Sequence, residues 1–140
     1  MLYSVHDDDG RIIMSNQVFD AEGYDKRLLD HGYKKFVADM HPGLRSHDHW
    51  FVQNKGHVKR PKMWVMVDKI CIKAGGNDAA VFRGITKGVR LNIFGAGTLL
   101  HDLVMDDAEL QLHIPVPCTY RVTFEKWPYR SKLFEIEAVA

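Results

Sequence analysis

Short apolar–polar alternations fill the second half of the chain. Val89, Leu91 and Ile93 alternate with Arg90 and Asn92; Leu110 and Leu112 alternate with Gln111 and His113. Tyr120, Val122 and Phe124 alternate with Arg121, Thr123 and Glu125, and Phe134 and Ile136 with Glu135 and Glu137, while Leu133 falls out of phase. A period of two gives each strand one apolar face. The pattern predicts strands over Met63–Val67, Ile70–Lys73, Ala80–Arg83, Val89–Phe94, Thr98–Leu103, Glu109–His113, Thr119–Lys126 and Leu133–Ala138. Turn residues separate them: Gly75-Gly76-Asn77-Asp78, Thr86-Lys87-Gly88, Gly95-Ala96-Gly97, Asp106-Asp107 and Trp127-Pro128. Short strands at this spacing predict an all-β sandwich, two antiparallel sheets with their apolar faces inward. Its expected core holds Val65, Leu91, Ile93, Leu110, Leu112, Tyr120, Val122 and Phe124.

The first sixty residues read differently, as a small ββαββ unit of α+β type. Leu2, Tyr3 and Val5 form a first strand, Asp7-Asp8-Asp9-Gly10 a turn, and Arg11 to Ser15 a second strand. Asp20 can cap a helix from Ala21 to about His31, with Tyr24, Leu28 and Leu29 on its apolar face. Gly32 is placed to end that helix. Lys35 to Met40 predicts a third strand, broken by His41-Pro42-Gly43. Trp50 to Gln53 and His57-Val58, joined through Asn54-Lys55-Gly56, predict a second hairpin. The boundary falls at residues 60 and 61, because Pro61 cannot donate to a ladder and holds Arg60 extended. The expected domains are therefore 1–60, a docking unit, and 61–140, the sandwich.

Composition narrows the function. The chain has 140 residues, a 46% hydrophobic and 26% charged make-up, and a formal net charge of +1. That describes an ordinary globular protein without a global basic field, so neither a nucleic-acid nor a membrane partner is expected. No apolar run reaches the roughly 18 residues that suggest a membrane span, and the polar start carries no export signal. Synthesis in a cytosol is the expectation. Two cysteines, Cys71 and Cys118, are too few for a disulfide scaffold.

Candidate chemistry is sparse. His41, His47, His49 and His57 crowd one stretch, and His47-Asp48-His49 would put two imidazoles on one side of an extended segment. His41, His47 and His49 are the weak candidates for a metal site, but no HExxH motif or Cys/His pairing fixes a geometry, so no metal and no cofactor are expected. Asp7-Asp8-Asp9-Gly10 lacks the Glu that a calcium loop needs at its twelfth position, which here is Val18. The Gly-rich segments lack phosphate-loop spacing. None of Ser4, Ser15, Ser46 or Ser131 lies in a G-x-S-x-G elbow, so no catalytic residue is assigned. Alternation points Ile70 and Ile72 inward and Cys71 outward between Lys69 and Lys73, a setting that favours thiol reactivity; Cys118 should face the core. Trp50, Trp127, Tyr129 and Cys71 are the candidates for an interface or a ligand contact, the aromatic residues because such rings serve as anchors or stacking platforms.

One resemblance spans nearly the whole chain. Asp48-His49-Trp50-Phe51-Val52-Gln53-Asn54-Lys55-Gly56-His57-Val58-Lys59-Arg60-Pro61-Lys62-Met63 resembles the W-Y-V-x-N-G-x-V-x-x-R-P-x-M junction of small tailed-bacteriophage proteins, of the tail-fibre and tail-accessory kind. Lys55-Gly56 stands where that pattern often has Asn-Gly, and a His-rich loop precedes Trp50. Lys73-Ala74-Gly75-Gly76-Asn77-Asp78-Ala79-Ala80, with Cys118-Thr119-Tyr120-Arg121-Val122, Lys126-Trp127-Pro128-Tyr129 and Glu135-Ile136-Glu137-Ala138, resembles their immunoglobulin-like domain. The resemblance implies a non-catalytic virion protein of the tail, neck or fibre region, made in the host cytoplasm. It would form a homo-oligomer in a symmetric assembly and dock on other virion proteins. The alternative from a different class is a small carbohydrate-binding module meeting host surface glycans through Trp50, Trp127 or Tyr129. A His-ligated metalloenzyme is the weaker third reading.

Overall fold

The computed structural model describes residues 2–18, 23–37 and 47–140. It is mostly β-strand, arranged in several sheets, and divides into two compact units, Met1–Arg60 and Pro61–Ala140.

In the first unit β1 (Leu2–His6) pairs antiparallel with β2 (Ile12–Gln17). Helix α1 (Tyr24–Asp30) follows, then a two-residue strand β3 (Phe36–Val37) on the other side of β1. Strands β4 (His49–Val52) and β5 (Gly56–Lys59) form the expected second hairpin. Tyr3 and Val5 point to one face of β1 and meet Leu28 of the helix and Val18, with Tyr24, Tyr33 and Phe36 at the margin. Gly32, at φ +88°, ends the helix: its N–H donates to the Leu29 carbonyl and that of Tyr33 to the Leu28 carbonyl, a Schellman closure. Leu29, expected on the apolar face, is exposed instead, because the single buried stripe of so short a helix is taken by Leu28. The helix starts at Tyr24 and not at Ala21, because Gly23, at φ +75°, is left-handed and forms its N-cap; the expected Asp20 cap lies outside the described residues, as do residues 38–40 of the expected third strand.

The second unit contains β6 (Met66–Val67), β7 (Cys71–Lys73), β8 (Ala80–Arg83), β9 (Arg90–Gly95), β10 (Thr98–Val104), β11 (Glu109–Leu112), β12 (Cys118–Glu125) and β13 (Lys132–Val139). One sheet runs β10-β9-β12-β13-β7, the other β11-β8-β6. A single core lies between them. Phe82 from the three-stranded sheet meets Phe124 at 5.4 Å and Phe134 at 5.3 Å from the five-stranded sheet, ring centre to ring centre. Val65, Leu91, Ile93, Leu112, Val122 and Phe124 are buried as expected. Leu110 and Tyr120 are only half-buried at the core margin, although they share the phase of buried neighbours. The first strand is shorter than alternation suggests. Ladder pairing stops where β8 ends at Arg83, so Met63 and Val65 are buried without a strand around them.

Two aspartates tie down the connections flanking β7. Asp68 accepts the Val81 N–H at 2.8 Å. Asp78 accepts the Lys73 N–H at 3.0 Å and the Lys69 ammonium, and these bonds hold its carboxyl down at about 2, well below the usual carboxylate range. The group is more acidic folded than unfolded, so its contribution to stability is complete above about pH 4 and is lost as pH falls toward 2. Asp78→Asn should therefore flatten the acid limb of the stability curve of the second unit between those values, which denaturant melts at stepped pH will read.

In the first unit the tight position is Gly10, at φ +81°, where an added Cβ would fall onto the Phe51 carbonyl. Gly10→Ala should cost about 1–3 kcal/mol from backbone strain alone, and hydrogen exchange should show the loss in residues 2–59 while Leu91 and Val122 keep their protection.

Candidate functional site

Strand β10 forms one edge of the five-stranded sheet, and all seven of its residues are exposed. The ladder shows which face each side chain takes. Leu99 lies opposite Phe94 and Asp102 opposite Asn92 on the outer face; Leu103 lies opposite buried Leu91 on the inner face. Leu103 is nevertheless 42% exposed. The three-stranded sheet is too narrow to cover this edge, so the inner face of β10 overhangs the core. A bulge at Leu100 interrupts the pairing between Leu99 and His101.

The outer face next to β10 is also apolar at its centre. Phe94, Leu133, Thr119, Arg121 and Thr123 line a shallow depression of about 360 Å³ with the Gly95–Gly97 turn. Phe94 and Leu133 are exposed, and Leu99 borders Phe94 through the ladder. Four of the charges on this face form two pairs. Arg121 reaches Glu135 at 3.4 Å, and Arg90 grips Asp102 with two bonds of 2.9 and 2.8 Å. The surface is therefore apolar, near-neutral and bordered by a strand edge, the combination associated with protein contact. Sequence reading missed it. The signals were there in the out-of-phase Leu133 and in the doubled Leu99-Leu100 and Leu103-Val104, which break alternation.

The residues singled out from sequence are scattered. Cys71 is exposed on β7, opposite Glu137, whereas Cys118 lies opposite buried Ala138 and donates to the Val116 carbonyl at 3.4 Å. The two thiols occupy opposite faces of the sheet and cannot bridge. Of the flanking lysines, Lys69 is committed to Asp78. Tyr129 packs against the core, and Trp127 is half-buried in the β12–β13 turn. Trp50 is half-buried on β4.

Of the candidate histidines, two are described and both approach Asp48. His47 is exposed, while His49 is buried with its Nδ1 2.5 Å from Asp48. The chain turns through residues 47 and 48 before β4 begins, and the His47 imidazole lies 4.0 Å from the other oxygen of the same Asp48 carboxylate. His41 lies outside the described residues. Among the described residues no group of three or more His, Cys, Asp or Glu side chains could hold a metal ion. Three other residues do meet: Ser4, His6 and His57. The Ser4 hydroxyl lies 2.6 Å from Nε2 of His57, but Ser4 is fully buried, so the pair serves packing and offers no nucleophile to a substrate. On the same unit a cleft of about 600 Å³ is lined by Asp7 to Gly10, Lys34 to Phe36 and Trp50 to Gln53, with His6.

No protein-family model, curated protein or solved structure matches the chain.

The thiol geometry has a direct readout. In the native protein Cys71 should react with a thiol reagent at once and Cys118 more slowly, so Cys71→Ser should abolish the fast phase and leave the slow one.

Proposed function

We propose that this protein is a non-catalytic bacteriophage virion component of the tail, neck or fibre region, and that it acts by docking to copies of itself and to other virion proteins. The observation that carries the docking is the fully exposed edge strand β10 beside Phe94 and Leu133. The occupant is a second copy of the chain. The face pairs its own charges, Arg121 with Glu135 and Arg90 with Asp102, and the chain carries a formal net charge of only +1. Two copies can thus approach through this face with little mutual repulsion. The phage setting rests on the resemblance of the junction around Trp50 to Met63. On this reading the working protein belongs to the virion, after synthesis in the host cytoplasm.

The finer reading of the fold is an α+β unit followed by an immunoglobulin-like sandwich. Strand order supports it. The sheets β11-β8-β6 and β10-β9-β12-β13-β7 match strands E-B-A and C′-C-F-G-A′ of that architecture. The parallel pairing of β7 with β13 fits a first strand that switches sheets. Phe82 and Phe124 meet across the sheets on the strands that antibody domains join by a disulfide.

Sedimentation of the full chain tests the docking. Wild-type protein should form a discrete symmetric oligomer. Combined Phe94→Asp and Leu99→Asp should shift it to monomer with the far-ultraviolet circular dichroism unchanged. A wild-type chain that stays monomeric at high concentration and does not co-sediment with virions would refute the reading.

One observation favours a second reading, a carbohydrate-binding module. Trp50 lines the 600 Å³ cleft of the first unit beside Asp7, Asp8, Asp9 and Gln53, and a cleft of that size suits a small ligand. A monomer that binds glycans on an array and loses them on Trp50→Ala would support this reading over the first.

A further inference from the structure

Strand β1 is buried on both faces, and the two faces use different chemistry. Tyr3 and Val5 pack apolar against the helix. Ser4 and His6 point the other way and receive the β4–β5 hairpin. His57 of β5 meets the Ser4 hydroxyl at 2.6 Å. Phe51 of β4 stacks on the His6 ring, with centres 4.2 Å apart and planes 22° apart, and stands edge-on to His57 at 5.6 Å. The Phe51 N–H donates to the Gly10 carbonyl at 2.8 Å, and Arg11 and Trp50 form a bridge beside it. The hairpin is thus held to the sheet by two imidazoles and the ring between them, together with the backbone bond at Gly10 and the bridge at Arg11.

Those imidazoles are placed where a positive charge is costly. Nδ1 of His6 is buried and has no hydrogen-bond partner. A charged imidazole carries a proton on both nitrogens. Protonation of His6 therefore puts a charged N–H at Nδ1, where there is neither exposed surface nor an acceptor. The surroundings add to this. Burial, then the Lys35 ammonium, then His57 oppose a charge on His6, and Asp7 alone among these groups favours it, so its pKa lies below the ordinary histidine value. Burial and then His49 lower that of His57 likewise. Lys35 itself is held by Asp8 at 2.7 Å, and His49 by Asp48.

We propose that the β4–β5 hairpin is an acid-sensitive latch, closed on β1 while His6 and His57 are neutral and opened when they take up protons. The sign follows from linkage. Both groups bind protons less readily in the closed form than in the open one. The stability they confer is therefore complete above the open-form value near 6.5 and is lost as pH falls through the lower closed-form values. Each imidazole can change the opening equilibrium by at most about tenfold per pH unit, and the two together by about a hundredfold.

Hydrogen exchange of the full chain between pH 7.5 and 5.0, corrected for the intrinsic pH dependence of exchange, tests the latch. Protection of the Phe51 amide should fall as pH falls over that range, by at most about a hundredfold per unit, while Leu91 and Val122 hold theirs. His6→Phe keeps a ring for the stack and removes one titrating group, so the slope should drop to tenfold per unit or less. Combined with His57→Gln, it should leave the hairpin closed at pH 5.0. Unchanged Phe51 protection in the wild-type chain, or a fall that Val122 matches in step, would overturn the proposal. The wild-type comparison stands even if a variant fails to fold.

Discussion

A sheet of five strands cannot be covered by a sheet of three, and the exposed surface of the second unit follows from that mismatch. The core is complete where Phe82 meets Phe124 and Phe134, and Leu91, Ile93 and Val122 are sealed beneath it. Beyond β9 the opposite sheet offers no further strand, among the described residues, to close over β10. Leu103, paired with buried Leu91, remains exposed for that reason. Leu99, Leu100 and Val104 join it along an edge whose outward backbone groups have no ladder partner among the described strands. An edge of this kind invites a further strand or a covering surface. The bulge at Leu100 limits the invitation, because a partner strand must pair with Thr98–Leu99 or with His101–Val104 and cannot run evenly along both.

The first unit meets a different constraint with fewer residues. A unit of this size buries little apolar surface, and here β1 supplies both of its packing faces. The apolar face makes a small core with Leu28 and Val18. The polar face pairs Ser4 with His57 and stacks His6 on Phe51, and it leaves Nδ1 of His6 buried without a hydrogen-bond partner. Polar packing of this type holds as long as its groups keep their protonation state. That dependence is the physical origin of the latch, and it separates the hairpin from the second unit, whose core carries no titratable side chain among its buried residues.

Much of the strand pattern was legible in the sequence because alternation is a local property. Ala80–Arg83 appears as read, and the last two strands differ from their expected ends by one residue. Alternation shows which side chains share a face, but it carries no information about the breadth of the facing sheet. Leu110 and Tyr120 accordingly sit at the core margin, and the overhang of β10 shows in its own residues only as the doubled Leu99-Leu100 and Leu103-Val104, which break alternation. The same limit hid Ser4 and His6: a hydrophobic-pattern reading treats the polar face of a strand as solvated, whereas a hairpin built from His57 and Phe51 covers this one.

The most direct test of the docking account is amide hydrogen exchange along β10, compared between dilute and concentrated solutions of the full chain. Self-docking through the overhanging edge requires added protection at Thr98–Val104 and at Phe94 on concentration, with β6 unchanged. Identical exchange of β10 under both conditions, or protection gained elsewhere while β10 stays open, would contradict it.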